Sequence, residues 1–248
     1  MKRIALTLLA LVALLGAANA QVSGVELGYC DGKVSTAGQS KFSVKRSDKV
    51  LSAAIWLPAE TMQMFKGCEI RQIHAGMASV LNIDSLGVWV RTSLDGEDLA
   101  KGYINKDTEP KLAKGWNLVD LEEAYVVPED CAGVYVGLSF HQKSTSVGLS
   151  VLTPDEVQTV EGGLFVQLGQ DAEWEDRHAE GTLAIEAMVF GDNLPKYNLQ
   201  LKDLKLDSPA YVIDKDEISG SVTVRNLATV TITGFDIACE ISGLDGVF

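Results

Sequence analysis

After its first 20 residues the chain alternates apolar with small or polar positions, and helical periodicity is nearly absent. Leu86-Gly87-Val88-Trp89-Val90-Arg91-Thr92 alternates, as do Val134-Tyr135-Val136-Gly137-Leu138-Ser139-Phe140 and Leu183-Ala184-Ile185-Glu186-Ala187-Met188-Val189. In the last of these, Thr182 and Glu186 fall on the opposite face. A period of two is that of half-buried antiparallel strands, whose successive side chains point to opposite faces. Further strands are expected at Ala53 to Leu57, Glu69 to Ala75, Trp116 to Leu121, Val147 to Leu152 and Leu164 to Leu168. Asp95-Gly96 predicts a type I′ hairpin turn, both of whose central positions need positive φ. One short helix is expected over Pro58 to Phe65, with Pro and Glu suited to its first turn and Gly67 to its stop. Many short strands with turns between them predict an all-β chain, a β-sandwich or jelly roll.

The polar stretch Gly191-Asp192-Asn193-Leu194-Pro195-Lys196 marks a boundary. Beyond it strands are expected at Leu199 to Leu206, Ile218 to Arg225 and Val230 to Ile241, the opening of an immunoglobulin-like sandwich. Such a domain needs about seven strands and ~100 residues, and only 52 residues, 197 to 248, follow. The expected organisation is a leader at 1–20, a jelly-roll β-sandwich at 21–192, a linker at 193–196 and a partial immunoglobulin-like module at 197–248. On that count the chain reads as the N-terminal part of a longer protein.

The leader sets the compartment. Lys2 and Arg3 precede an apolar run from Ile4 to Leu15, and Ala18-Asn19-Ala20 supplies a small-x-small cleavage site. The run is too short to span a bilayer. The chain is therefore expected to be exported to the periplasm, the outer surface or the medium, with no transmembrane segment once the leader is removed. The 34 acidic and 21 basic residues give a formal charge of −13, which becomes −15 when Lys2 and Arg3 leave with the leader. Such a charge argues against nucleic acid as a partner, because no basic surface would neutralise phosphate. It argues equally against anionic lipid.

Chemistry is thinly written. Cys30, Cys68, Cys131 and Cys239 allow three disulfide pairings, but none forms a CxxC, and buried inert thiols are the simpler reading. His74, His141 and His178 are far apart in sequence, so a metal site could assemble only through the fold and no metal ligands can be named. Gly137-Leu138-Ser139-Phe140-His141 is not a nucleophile elbow, and a Cys131/His141 pair lacks an orienting partner. Acidic turns at Asp95 to Asp98, Asp171 to Asp176 and Asp214 to Glu217 carry hard oxygens that can hold structural calcium, although solvated turns are the simpler reading. No other cofactor is implied. A glycosidase carboxylate pair would be a property of the fold alone. Trp56 and Trp89 fall within strand alternation and read as core. Trp116 begins a strand. Trp174, among acids in a loop, is the candidate for ligand contact.

One resemblance bears on these features. Ser52-Ala53-Ala54-Ile55-Trp56-Leu57-Pro58-Ala59-Glu60, Phe65-Lys66-Gly67-Cys68-Glu69-Ile70, Val88-Trp89-Val90, Gly115-Trp116-Asn117-Leu118-Val119-Asp120-Leu121 and Val134-Tyr135-Val136-Gly137 follow in an order that resembles a known module. It is the cleaved-adhesin-like jelly roll of secreted and surface proteins of Gram-negative anaerobes, and the likeness spans about residues 50 to 190. The segment from Tyr197 is similar to the immunoglobulin-like repeats that follow such modules, although Leu227 stands after Asn226 where those repeats carry glycine. The resemblance implies an adhesion, ligand-binding or spacer role and carries over no catalytic residue. The expected function is thus that of an exported, non-catalytic adhesion or ligand-binding β-sandwich protein. Its partners would be a glycan, a host or cell-surface protein, and downstream domains of the same chain. The alternative is an accessory region of a secreted peptidase or thiol-disulfide protein whose catalytic domain lies beyond residue 248.

Overall fold

The computed structural model describes residues 24–44, 49–143, 147–196, 199–207, 219–226 and 231–237. The leader, Asp214 to Glu217 and Cys239 lie outside them. The strands are β1 (Val25–Gly28), β2 (Lys49–Pro58), β3 (Glu69–Met77), β4 (Ile83–Arg91), β5 (Ala100–Asn105), β6 (Gly115–Val126) and β7 (Gly133–Gln142). They continue with β8 (Val151–Leu152), β9 (Phe165–Leu168), β10 (Glu175–Asp176), β11 (Thr182–Leu183), β12 (Ile185–Phe190), β13 (Leu199–Leu206) and β14 (Gly220–Asn226). A four-stranded sheet runs in the order β1-β12-β3-β6 and a six-stranded sheet in the order β10-β9-β2-β7-β4-β5. Smaller two-stranded sheets pair β11 with β8 and β13 with β14. Every recorded strand pairing is antiparallel.

The fold is an all-β sandwich, and the alternation explains it. Leu51, Ala53, Ile55 and Leu57 of β2 point inward with Leu86, Val88 and Val90 of β4 and Val134, Val136, Leu138 and Phe140 of β7. They meet Ile70, Ile73 and Met77 of β3, Val119 of β6 and Ile185, Ala187 and Val189 of β12 in one core. Each fully buried aliphatic side chain in it contributes about 1.5–3 kcal/mol.

Seven of the eight expected strands before the boundary overlap observed strands directly. The eighth, Val147 to Leu152, narrows to β8, with Leu149 making an isolated bridge to Met77. The expected Leu183–Val189 strand breaks at Ala184, because Leu183 pairs with Val151 while Ile185 pairs with Ala75 in a different sheet. The short helix is present as α1 (Ala59–Met62) and a 3-10 turn at Gln63–Phe65, stopped by Gly67 at φ +74°. Strand β5 escaped the pattern because two of its three inward positions are the small residues Ala100 and Gly102.

Two expectations fail. Asp95-Gly96 does not form a type I′ turn: neither residue has positive φ, and the bond from Gly96 N–H to Ser93 O closes a turn inside a longer loop. Among the described residues, the Asp-Gly pair with both φ values positive is Asp31-Gly32, at +56° and +68°, closed by Lys33 N–H donating to Cys30 O at 2.9 Å. In the C-terminal segment β13 and β14 form as expected, but residues 231–237 form no strand and pair with no strand among the described residues.

Candidate functional site

Strand parity gives the sandwich two outer faces with different chemistry. On the six-stranded sheet, Ile55 and Leu57 point inward, so Trp56 points outward; the same logic turns Trp89 outward between Val88 and Val90. Trp56 is half-buried on the outer face instead of in the core, whereas Trp89 is buried as expected, but on that outer face and not between the sheets. Trp56 stands directly opposite Tyr135, with ring centroids 4.6 Å apart, and Phe165 meets Tyr135 edge-on at 5.4 Å. The Trp89 ring lies across Gly137, its cross-strand neighbour, where any Cβ would overlap the indole. Its Nε1–H donates to Ser139 Oγ at 3.0 Å, and Ser139 shares a 2.8 Å bond with Ser52 Oγ.

Trp174, the residue singled out for ligand contact, packs edge-on against Trp89 with centroids 6.0 Å apart and remains half-buried. The Arg91 guanidinium lies 3.9 Å from the centre of the Trp89 ring, fixed by a 2.7 Å bond from Nε to Asp98. Together these groups leave Trp89 only 3% exposed. Tyr103, further along the same face on β5, is 55% exposed. Three of the chain's four tryptophans thus share one outer face, and two of them, Trp89 and Trp174, touch.

In the acidic turns read as calcium candidates, three of the described carboxylates have protein partners. Asp98 pairs with Arg91, Glu175 with Arg177, and Asp176 accepts from the ring of His178 at 2.7 Å. The three histidines stay apart, with His74 on the four-stranded sheet, His141 on the six-stranded sheet and His178 after β10. Cys131 precedes β7 and His141 lies near its far end, roughly 30 Å away at ~3.3 Å per residue, so no nucleophile–base pair forms there. Cys30, Cys68 and Cys131 are buried, and none is disulfide-bonded to another.

The outer face of the four-stranded sheet gathers groups that no sequence motif had linked. Glu26 on β1, Glu186 on β12 and His74 on β3 alternate with the core residues Val25 and Leu27, Ile185 and Ala187, and Ile73 and Ala75. Glu186 stands opposite His74 on one side and Gly28 on the other, while Glu26 stands opposite Met188. A ligating atom from each of Glu26, His74 and Glu186 lies within 4.8 Å of the other two. Glu186 is only 2% exposed. Gly28 makes room for it, since a Cβ there would lie 2.9 Å from Glu186 Cγ.

The Asp31-Gly32 turn delivers the hydrogen bonds this buried carboxylate needs. Gly32 N–H donates to Glu186 Oε1 at 3.0 Å, and the Cys30 thiol reaches the same oxygen at 3.5 Å. Arg225 of β14 adds a cation 3.9 Å from Glu186 Oε1 and 3.5 Å from Glu26 Oε2. Burial, then the charge of Glu26, pushes the Glu186 carboxyl above its ordinary range. Burial and the adjacent Glu186 push the Cys30 thiol up to about 12, so it stays protonated at neutral pH.

His74 is held in a chain. The Gln72 amide nitrogen donates to Asp120 at 2.7 Å, so the Gln72 carbonyl oxygen is the group facing His74 Nε2, also at 2.7 Å. A carbonyl only accepts, so Nε2 carries the proton and Nδ1 keeps its lone pair. Burial pulls the His74 pKa down, which keeps the ring neutral. An open cleft of about 490 Å³ adjoins the cluster, with Glu26, Asp31, Gly32 and Lys33 on one wall and Val224 and Arg225 on the other.

The sequence pattern puts His74 in a strand and Glu186 on a strand's polar face, and nothing in it joins the two. The legible signal was a single charged residue between apolar neighbours in Val25-Glu26-Leu27 and Ile185-Glu186-Ala187. Comparison with protein-family models, curated proteins and solved structures finds no match.

Proposed function

We propose that this chain is the non-catalytic, ligand-binding part of an exported protein, and that its ligand is a glycan bound on the outer face of the six-stranded sheet. The observation that carries this reading is the aromatic band on that face. Trp56, Tyr135, Phe165 and Trp174 keep part of their surface exposed, and Tyr103 keeps most of its ring in solvent. Aromatic rings offer broad apolar faces to pyranoses, while Tyr and Trp also supply polar ends for hydroxyl groups. The packed floor of Trp89, Gly137, Ser139 and Ser52 holds the band rigid, which lowers the entropy lost on binding.

Export rests on the leader pattern of Met1 to Ala20. Among the described residues, no helix is long and apolar enough to cross a membrane. A non-catalytic role is favoured by the protonated Cys30 thiol and by the separation of Cys131 from His141. The jelly-roll identity of the sandwich and the immunoglobulin-like identity of the segment around β13 and β14 belong to this same proposal, as does an adhesive role at a cell surface.

The test is a glycan array probed with the labelled full-length chain, followed by titration of the strongest oligosaccharide hit. Trp174→Ala and Tyr103→Ala should each weaken binding at least about tenfold, the equivalent of ~1.4 kcal/mol, while the protein stays folded. A flat array, or a Trp174→Ala variant that binds as tightly as the parent, would overturn the reading.

A further inference from the structure

We propose that Glu26, His74 and Glu186 form a binding site for one divalent first-row transition-metal ion of the zinc class, on the outer face of the four-stranded sheet. The donors come from three adjacent strands, β1, β12 and β3, so their backbone spacing is set by the sheet and not by a loop. Two carboxylates and one neutral imidazole match the charge and donor preference of such an ion. Calcium, which takes six to eight oxygen ligands, is poorly served by three donors of which one is nitrogen.

Distances support the assignment. Zinc bonds of about 2.0–2.2 Å place tetrahedral donors roughly 3.4 Å apart. The three ligand atoms lie within 4.8 Å of one another, so closure of about an ångström, within the reach of side-chain rotation, completes the set.

The surroundings are those of a prepared site. The Gln72–Asp120 chain orients the imidazole, the arrangement in which outer partners fix a metal-bound histidine. Gly32 N–H, the Cys30 thiol and Arg225 all converge on Glu186 Oε1, which leaves Oε2 as the oxygen for the ion. Arg225 supplies one positive charge against two carboxylates, at 3.5 and 3.9 Å, and the cluster keeps a net negative charge that attracts a cation. The cleft beside Glu26 gives solvent or a further ligand access to the ion's open position.

The experiment is a Zn²⁺ titration of the full-length chain after chelator treatment and dialysis, read by calorimetry and by thermal unfolding, with Ca²⁺ as the comparison ion. One equivalent of Zn²⁺ should bind, and Zn²⁺ at about 100 times its Kd should raise the melting temperature by about 5 °C or more. Ca²⁺ at the same concentration should leave it nearly unchanged. His74→Gln and Glu26→Gln should each weaken Zn²⁺ binding at least about tenfold. Glu26 is half-buried, so its variant keeps the test valid if a change at His74 disturbs folding. No Zn²⁺ binding by the parent chain overturns the proposal, and so does equal binding by parent and both variants, which would place the ion elsewhere.

Discussion

The two outer faces of the sandwich bury their side chains in opposite ways. On the six-stranded sheet, apolar matter is buried outside the core: the Trp89 ring lies on Gly137 beneath Trp174 and Arg91, and its one polar atom is matched by Ser139. On the four-stranded sheet the buried group is a carboxylate, Glu186, beside a second carboxylate and an imidazole. The first face is self-sufficient, since each polar atom beneath Trp89 finds a local partner. The second depends on groups from elsewhere in the chain, the Asp31-Gly32 turn and Arg225 of β14. A face completed by its own strands stabilises the fold. One that holds like charges together stores unfavourable energy that a bound cation can relieve.

The largest effect that would test this contrast is Trp89→Ala. It deletes a buried indole and the N–H bond that Ser139 accepts from it, and should cost about 3–5 kcal/mol in urea unfolding. Gly137→Val should cost about 1–3 kcal/mol by overpacking, because its side chain would have to displace the same ring. If both variants were near neutral, the aromatic face would be ornament on the core and not part of the folded unit.

Glu186→Gln should act with the opposite sign. The folded state raises the Glu186 pKa, so it holds the proton more tightly than the unfolded chain does. Stability therefore declines as pH rises through the ordinary carboxylate range toward the folded value. In chelator-treated protein the parent should lose melting temperature across that rise. The glutamine variant should show a flatter profile and be more stable above it by about 1 kcal/mol. A steeper decline in the variant would mean that Arg225 already overcompensates the two carboxylates.

Trp174→Ala should cost about 1 kcal/mol, since its half-buried ring contributes an edge-on aromatic contact and little enclosed area. The smallest effect belongs to Arg177 and Glu180, paired at the edge of the structure. Arg177, and then Lys41, hold the Glu180 carboxyl down to about 2. The resulting stability is present above the ordinary carboxylate pKa and is lost as pH falls toward 2. Solvent screening of this partly exposed pair limits the loss in Glu180→Gln to about 0.5 kcal/mol near neutral pH. The difference between the two proteins should vanish in acid, which a melting series against pH would read.

Much of the architecture is legible in the chain because strand parity is local. Val88 and Val90 pointing inward force Trp89 outward, and Leu27 and Ile185 do the same for Glu26 and Glu186. The same parity turns Trp56 and Trp89 out of the space between the sheets, although Trp89 is still buried, under Trp174 and Arg91. Turn chemistry is less decisive. Asp95-Gly96 and Asp31-Gly32 carry the same dipeptide, yet only the second adopts positive φ at both positions. The difference lies in what the turn must reach, because Gly32 N–H has a buried carboxylate to meet and Gly96 N–H closes on its own loop.

The pattern of residues by itself determined that this chain builds antiparallel strands, which positions of the expected strands face the core, and that a single charged residue, Glu186, stands at an outward position of strand β12. Only the tertiary structure decided that β12 lies between β1 and β3, and hence that Glu26, Glu186 and His74 share one patch. The reason is physical. A strand's inward and outward faces follow from its own backbone period of two, whereas its neighbours follow from long-range pairing. That pairing is selected by the free energy of closing the whole sandwich, to which every segment contributes.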